Sequence, residues 1–170
     1  MKPLPSFPLE GGCACGQVRY RLTAAPFCVY VCHCTDCQTL SASAFSINGP
    51  IRPDSLQITR GSLRTWIRTA ESGNEIPTHV CPHCGVRIYT EPAGGAATWT
   101  LRLGTLDNTG WLWPAAAIFM QSKQPWLQMP EGVLLYDGAA NDFRPIIAHY
   151  QSQLAALKST LPGEPKNTSP

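Results

Sequence analysis

The sequence predicts a mainly β protein that ends in one longer helix, and three observations carry that reading. Fourteen glycines and sixteen prolines among 170 residues are too many helix breakers for a bundle. Several short runs alternate apolar and polar side chains, the period of a half-buried strand. Near residue 140 the pattern changes, and apolar residues recur at spacings of three, four and seven, the period of an amphipathic helix.

The proline-rich residues 1–10 read as irregular. Val18, Tyr20 and Leu22 then alternate with Arg19 and Arg21 as a first strand. A second β-like run, Phe27 to Cys32, follows the turn signal Ala25-Pro26. Thr35 to Ala42 suits a short helical turn, and Ala44 to Ile47 returns to strand character. Further strands are expected at Leu56–Thr59, Leu63–Thr69, Val86–Thr90, Thr98–Leu103 and Ala116–Met120. The helix places Phe143, Ile146, Ile147, Tyr150, Leu154, Leu157 and Leu161 on one face, with Asn141 or Asp142 as N-cap. Pro145 is tolerated only in the first turn, and Pro162-Gly163 ends the helix near Leu161. The organisation expected is one β domain over residues 11–138, a helix over 141–161 and a loose tail from 162 to 170. The helix is expected to pack on its own domain, and a homodimer contact fits the same pattern.

Composition narrows the class. Apolar residues at 44% describe a globular chain, and charged residues at 14% exclude a disordered polyelectrolyte. No apolar run reaches the ~18–20 residues of a membrane span, and the first eight residues lack a secretory apolar stretch. A cytoplasmic protein is the expectation. Eight cysteines in a reducing compartment point to metal or thiol redox chemistry, not to structural disulfides. Seven thiolates around two Zn²⁺ would reverse the formal charge of +2, so nucleic acid loses its electrostatic case.

The cysteines fall into three groups: Cys13 and Cys15; Cys32, Cys34 and Cys37, with Cys28 upstream; and Cys81 and Cys84. Glycine follows directly in Cys15-Gly16 and Cys84-Gly85, where a chain turning around a metal can need a positive φ. The two outer pairs could supply a closed four-thiolate zinc site. Cys81-Pro82-His83-Cys84 also matches a thiol-oxidase tetrapeptide, but Val86 to Thr90 continues as a strand where that chemistry needs a helix. In the middle group three sulfurs can converge on one metal at about 2.3 Å each. Cys28 stands about 13 Å from Cys32 along an extended chain, too far to share it, and reads as a buried small hydrophobe. His33 should point away from its neighbours. Three protein ligands and an open position mark a catalytic zinc. Spacing leaves open how the groups divide between two metals.

Gly12-Cys13-Ala14-Cys15-Gly16-Gln17-Val18-Arg19-Tyr20, Cys32-His33-Cys34-Thr35-Asp36-Cys37 and Cys81-Pro82-His83-Cys84-Gly85 resemble the glutathione-dependent formaldehyde-activating enzyme (centromere-protein-V) family. Gly104-Thr105-Leu106-Asp107 and Ser122-Lys123-Gln124-Pro125-Trp126 are similar to two further family segments. The resemblance runs from about residue 11 to 136 and implies a β-tent fold with two Zn²⁺ per chain. It assigns Cys13, Cys15, Cys81 and Cys84 to a structural zinc and Cys32, Cys34 and Cys37 to a catalytic one. It also implies a carbon–sulfur lyase resembling S-(hydroxymethyl)glutathione synthase, with a small thiol and formaldehyde as substrates. Three positions depart from the pattern: Gln38 and Thr39 stand where basic residues are common, and Ala117 where a histidine is common. Arg68, Arg87, Arg102 and Lys123 are the cations left to recognise substrate carboxylates. His33 or Asp36 would move the proton, and Trp99, Trp111, Trp113 and Trp126 are candidates to line a pocket. The rival readings are a non-enzymatic zinc module with four ligands at each metal, and a thiol redox protein.

Overall fold

A computed structural model describes residues 2–70, 73–92 and 97–160. Among the described residues eleven strands form two sheets. The smaller joins β1 (Leu9–Gly12), β2 (Arg19–Leu22) and β5 (Leu56–Arg60), all antiparallel. The larger contains β3 (Tyr30–Cys32), β4 (Ser46–Ile51), β6 (Arg64–Thr69), β7 (Glu75–Val80), β8 (Arg87–Thr90), β9 (Trp99–Arg102), β10 (Ala116–Ile118) and β11 (Leu134–Leu135). Its order is β11-β10-β3-β4-β9-β8-β7-β6. Pairing is antiparallel except at one end, where β10 runs parallel to both β3 and β11. The mainly β architecture expected from the sequence is therefore present, with a mixed edge.

Four strands depart from expectation, among them β11 at Leu134–Leu135, where the sequence predicts none. β1 starts at Leu9, inside the segment read as irregular. β7 carries Pro77, a residue that normally argues against an inner strand, yet it pairs with both neighbours over Glu75–Val80. β10 stops at Ile118, two residues short of Met120, because Phe119 takes a left-handed φ of 57° that a strand cannot continue.

Helix α1 (Thr35–Ser41) leaves β3 after two residues. Helix α2 (Arg144–Thr160) follows the last strand. Its entry is held by Asp142, whose Oδ1 accepts from the Arg144 backbone N–H at 2.9 Å. Pro145 lies in the first turn, as predicted. The expected end at Leu161 and the tail from 162 lie outside the described residues. Ile146 and Tyr150 are 0% and 1% exposed and join Tyr20, Leu22, Ile51, Ile88 and Leu101 in one core. Fully burying a side chain of this size is worth about 1.5–3 kcal/mol, so the helix is bound to its own domain. Phe143 meets Tyr30 edge to face at 5.2 Å, which couples the helix entrance to the strand that carries Cys32. Among the described residues no helix is long and apolar enough to cross a membrane.

Candidate metal centres

Two hairpin loops build the four-cysteine group. Cys13 and Cys15 sit between β1 and β2, and Cys81 and Cys84 between β7 and β8. The loops share a backbone scheme. Cys13 N–H donates to Val18 C=O at 3.0 Å, and Cys81 N–H to Val86 C=O at 2.9 Å. Each loop then turns back onto its first cysteine, with the Gly16 and Gly85 N–H groups donating to Cys13 and Cys81 C=O. Both glycines have positive φ, 75° and 72°, a conformation that costs L-residues about 1–2 kcal/mol. The four Sγ atoms lie within 4.8 Å of one another, with Cys13–Cys15 at 3.5 Å and Cys15–Cys81 at 3.7 Å. Thiolates at ~2.3 Å on a tetrahedral ion stand about 3.8 Å apart, so the cage fits zinc without rearrangement. The backbone N–H of Val86 pushes the Cys84 thiol down to about 6, toward the thiolate that a metal requires.

The second group forms where β3 runs into α1. Cys32 ends the strand, Cys34 is the helix N-cap and Cys37 lies in the first turn. Cys34 Sγ accepts from the Cys37 backbone N–H at 3.4 Å and lies 3.5 Å from Cys32 Sγ. The three sulfurs fall within the same 4.8 Å limit, and among the described residues no further Cys, His, Asp or Glu joins them. Hydrogen bonds from the Cys32 and Cys34 thiols, with the Arg102 charge and the Ser46 hydroxyl, hold Cys37 toward its thiolate. Cys28 is fully buried and belongs to neither group. Burial alone pushes its thiol up to about 12.

His33 is set apart from this group. Its ring is buried against Phe45 at 5.6 Å, with Nδ1 3.3 Å from the Ala44 carbonyl. A carbonyl only accepts, so Nδ1 carries the proton. Nε2 is buried with no partner among the described residues. Burial pushes the imidazole below its ordinary range. Gln38, at a position where the family often has a cation, is a strut. Its Nε2 donates to His33 C=O at 2.7 Å and Ser122 C=O at 2.8 Å, and its Oε1 accepts from Gln124 at 2.9 Å. Ala117 is fully buried in β10.

The three cysteines line a cavity of about 550 Å³ with Thr35, Asp36, Asn48, Arg68, Arg102 and Phe119. Asp36 Oδ2 is ion-paired with Arg68. Arg102 donates to the side chains of Asn48 and, at 3.4 Å, Thr90, while its Nε is buried with no partner among the described residues. A second cavity of about 590 Å³ lies between residues 39–47, the Cys84–Arg87 loop and residues 102–105, and Arg102 borders it too. Arg87 lines this second cavity. Lys123, the fourth candidate cation, is turned onto the carbonyls of Gln124 and Leu127 at 3.0 and 2.6 Å and borders neither cavity.

None of the tryptophans lines these cavities. Trp111 is buried and donates to Asn108 C=O at 2.9 Å, Trp99 stacks on Tyr89 at 4.4 Å, and Trp126 is 70% exposed. Asn48 and Phe119 are wall residues that the sequence did not single out. A buried amide inside an apolar strand was the signal available for Asn48; nothing local marks Phe119.

No curated protein matches the sequence. Among solved structures, a crystal structure of a Rhodobacter sphaeroides protein is similar at 17% identity and a TM-score of 0.48, with 61% of this chain and 92% of that chain covered. The family model for the glutathione-dependent formaldehyde-activating enzyme matches residues 8–122. That span contains both cysteine groups, and the chain belongs to the glutathione-dependent formaldehyde-activating enzyme family.

Proposed function

We propose that the protein is a zinc-dependent carbon–sulfur lyase that joins a small thiol, glutathione or another, to formaldehyde or a small aldehyde at the three-cysteine group. The observation that carries this reading is the contrast between the two groups. One has four cysteines and is closed. The other has three, at separations that fit zinc, on the wall of an open cavity. Cys13, Cys15, Cys81 and Cys84 would hold the structural ion, and Cys32, Cys34 and Cys37 the catalytic one. A zinc ion held by three thiolates supplies an open position at which a substrate thiol is stabilised as its thiolate near neutral pH.

In the reaction an S–C bond forms, the carbonyl π bond opens, and the thiol proton ends on the carbonyl oxygen, with no change of oxidation state. Asp36 is the carboxylate on the cavity wall. Arg68 occupies its Oδ2, which leaves Oδ1 to take the proton from sulfur and return it to oxygen. His33, buried with Nδ1 on the Ala44 carbonyl, is a positioning residue: it packs behind the Cys32–Cys34 turn that carries two of the sulfurs. Free thiolate groups need a reducing compartment, which supports reading the protein as cytoplasmic.

Exchange between free and thiol-bound formaldehyde, followed by NMR with glutathione and zinc-loaded protein, tests the reading. Cys34→Ser should bind one zinc instead of two, keep its far-UV spectrum, and lose more than about 100-fold in exchange rate, beyond the 10–100-fold typical of outer-shell changes. Unaltered exchange in that variant would overturn the assignment. Two zincs retained equally against a chelator would favour a non-catalytic module.

A further inference from the structure

Among the described residues, positive φ occurs at five glycines, at Ala42 and at Phe119. Ala42 closes α1 as its C-cap and has the smallest side chain that carries a Cβ. Phe119 is the exception, a bulky aromatic residue at φ 57° and ψ 45°, where such a side chain is a genuine outlier. A turn alone is better served by glycine, which adopts this conformation without steric cost. The surrounding backbone fixes Phe119 on both sides. Its N–H donates to Gly138 C=O at 2.9 Å, and its C=O accepts from Ser122 N–H at 3.0 Å. Just before it, Ile118 C=O accepts from His33 N–H at 3.0 Å. Strained residues persist where the structure over-determines them, and they gather at functional sites.

What the strained backbone secures is the place of the side chain. Ile118 pairs with Cys32, so the next residue lies beside the turn that carries Cys34, and Phe119 lines the three-cysteine cavity. Apart from the cysteines and two alanines, every other residue of that wall has oxygen or nitrogen in its side chain. Phe119 is half-buried, packs against the core, and supplies the wall with its large hydrocarbon surface. An apolar surface beside a metal position controls the access of water. It also favours an aldehyde as the free carbonyl over its hydrate, which has two hydroxyls to desolvate.

We propose that Phe119 is a positioning residue of this site: its strained backbone holds the ring as the apolar side of the three-cysteine cavity, where it keeps water from the position the three sulfurs leave open. That position is then left to the thiol and to the aldehyde in its carbonyl form. The role in the reaction rests on the lyase reading, whereas the shielding of the metal position does not.

Three variants of the zinc-loaded protein separate ring from backbone. Phe119→Gly removes the ring and releases the strain, Phe119→Ala removes the ring and keeps the strain, and Phe119→Leu keeps apolar bulk. In a urea titration Phe119→Gly should have a higher midpoint than Phe119→Ala, the reverse of their order at ordinary positions. With pyridylazoresorcinol as chelator, release of the first zinc should quicken by about fivefold or more in both, and stay within about twofold of the parent in Phe119→Leu. Formaldehyde exchange should fall by about tenfold or more in kcat in the Gly and Ala variants, with KM little changed, and Phe119→Leu should recover most of it. A lower midpoint for Phe119→Gly than for Phe119→Ala overturns the strain argument. Parent rates of zinc release in both ring-deleted variants overturn the inference and leave the lyase reading intact. Faster release with unaltered exchange overturns the role in the reaction. Faster release with no exchange by the parent protein overturns the lyase reading and keeps the shielding.

Discussion

Eight chemically identical thiols meet three kinds of surroundings. Val86 N–H favours the thiolate at Cys84, hydrogen bonds from its neighbours favour it at Cys37, and Cys28 has only burial, which favours the thiol. Cys28→Ala should therefore leave two zincs per chain by metal analysis and cost about 1 kcal/mol in a urea titration, the scale of a small cavity. A fall to one zinc would make Cys28 a ligand. The same contrast explains what could be read in advance. Ligand spacing is local, so the sequence showed which cysteines lie close in the chain and that Cys28 was too far from Cys32. The role of His33 was harder to read. Its ring direction away from the flanking cysteines follows from strand alternation, but the Ala44 carbonyl and the Phe45 ring that hold it come from the far side of α1.

At the level of elements, periodicity served well wherever one face of a segment met the core. The alternation of Tyr20 and Leu22 with arginines became β2, and the three-four spacing became α2, with Ile146 and Tyr150 buried as the pattern required. It failed where composition masked pairing. Gly11 and Gly12 hid β1, and Pro77 hid β7, because both residue types are poor strand formers until a neighbour supplies the hydrogen bonds. α2 extends beyond the family match, which ends at residue 122, yet it is part of the same core. Ile146→Ala should lower stability by about 2–5 kcal/mol, measured by denaturant titration, and zinc content should remain two per chain. A loss under about 0.5 kcal/mol would mean that the helix is an appendage.

Across the whole molecule, the four-cysteine group joins the two sheets, since Cys13 and Cys15 belong to the smaller and Cys81 and Cys84 to the larger. The Arg19–Asp107 ion pair and the 2.8 Å hydrogen bond between Tyr20 and Thr105 cross between the same parts, but both are small beside a structural zinc site, which contributes on the order of 10 kcal/mol. Chelation should therefore proceed in two steps. The first zinc, from the three-cysteine group with its open position, leaves with the fold intact; the second leaves with cooperative loss of the β signal. Zinc release recorded alongside circular dichroism checks this order, and simultaneous release with unfolding would contradict it.

The sequence by itself determined the mainly β class, the C-terminal helix, the cysteine groups and the glycines that let two loops turn, because each depends on periodicity or on spacing within a few residues. The pairing of the outer cysteines was already offered by the sequence and its resemblance, and the structure brings those sulfurs together. Tertiary structure alone decided that Arg102 faces two cavities and that the tryptophans stay out of both. The Lys123 contacts are local, one and four residues along the chain; the four-cysteine cage and the place of Arg102 depend on strands brought together across 50 or more residues, as Asn48 and Arg102 are. No local pattern encodes which side chains such a pairing will turn toward the same space.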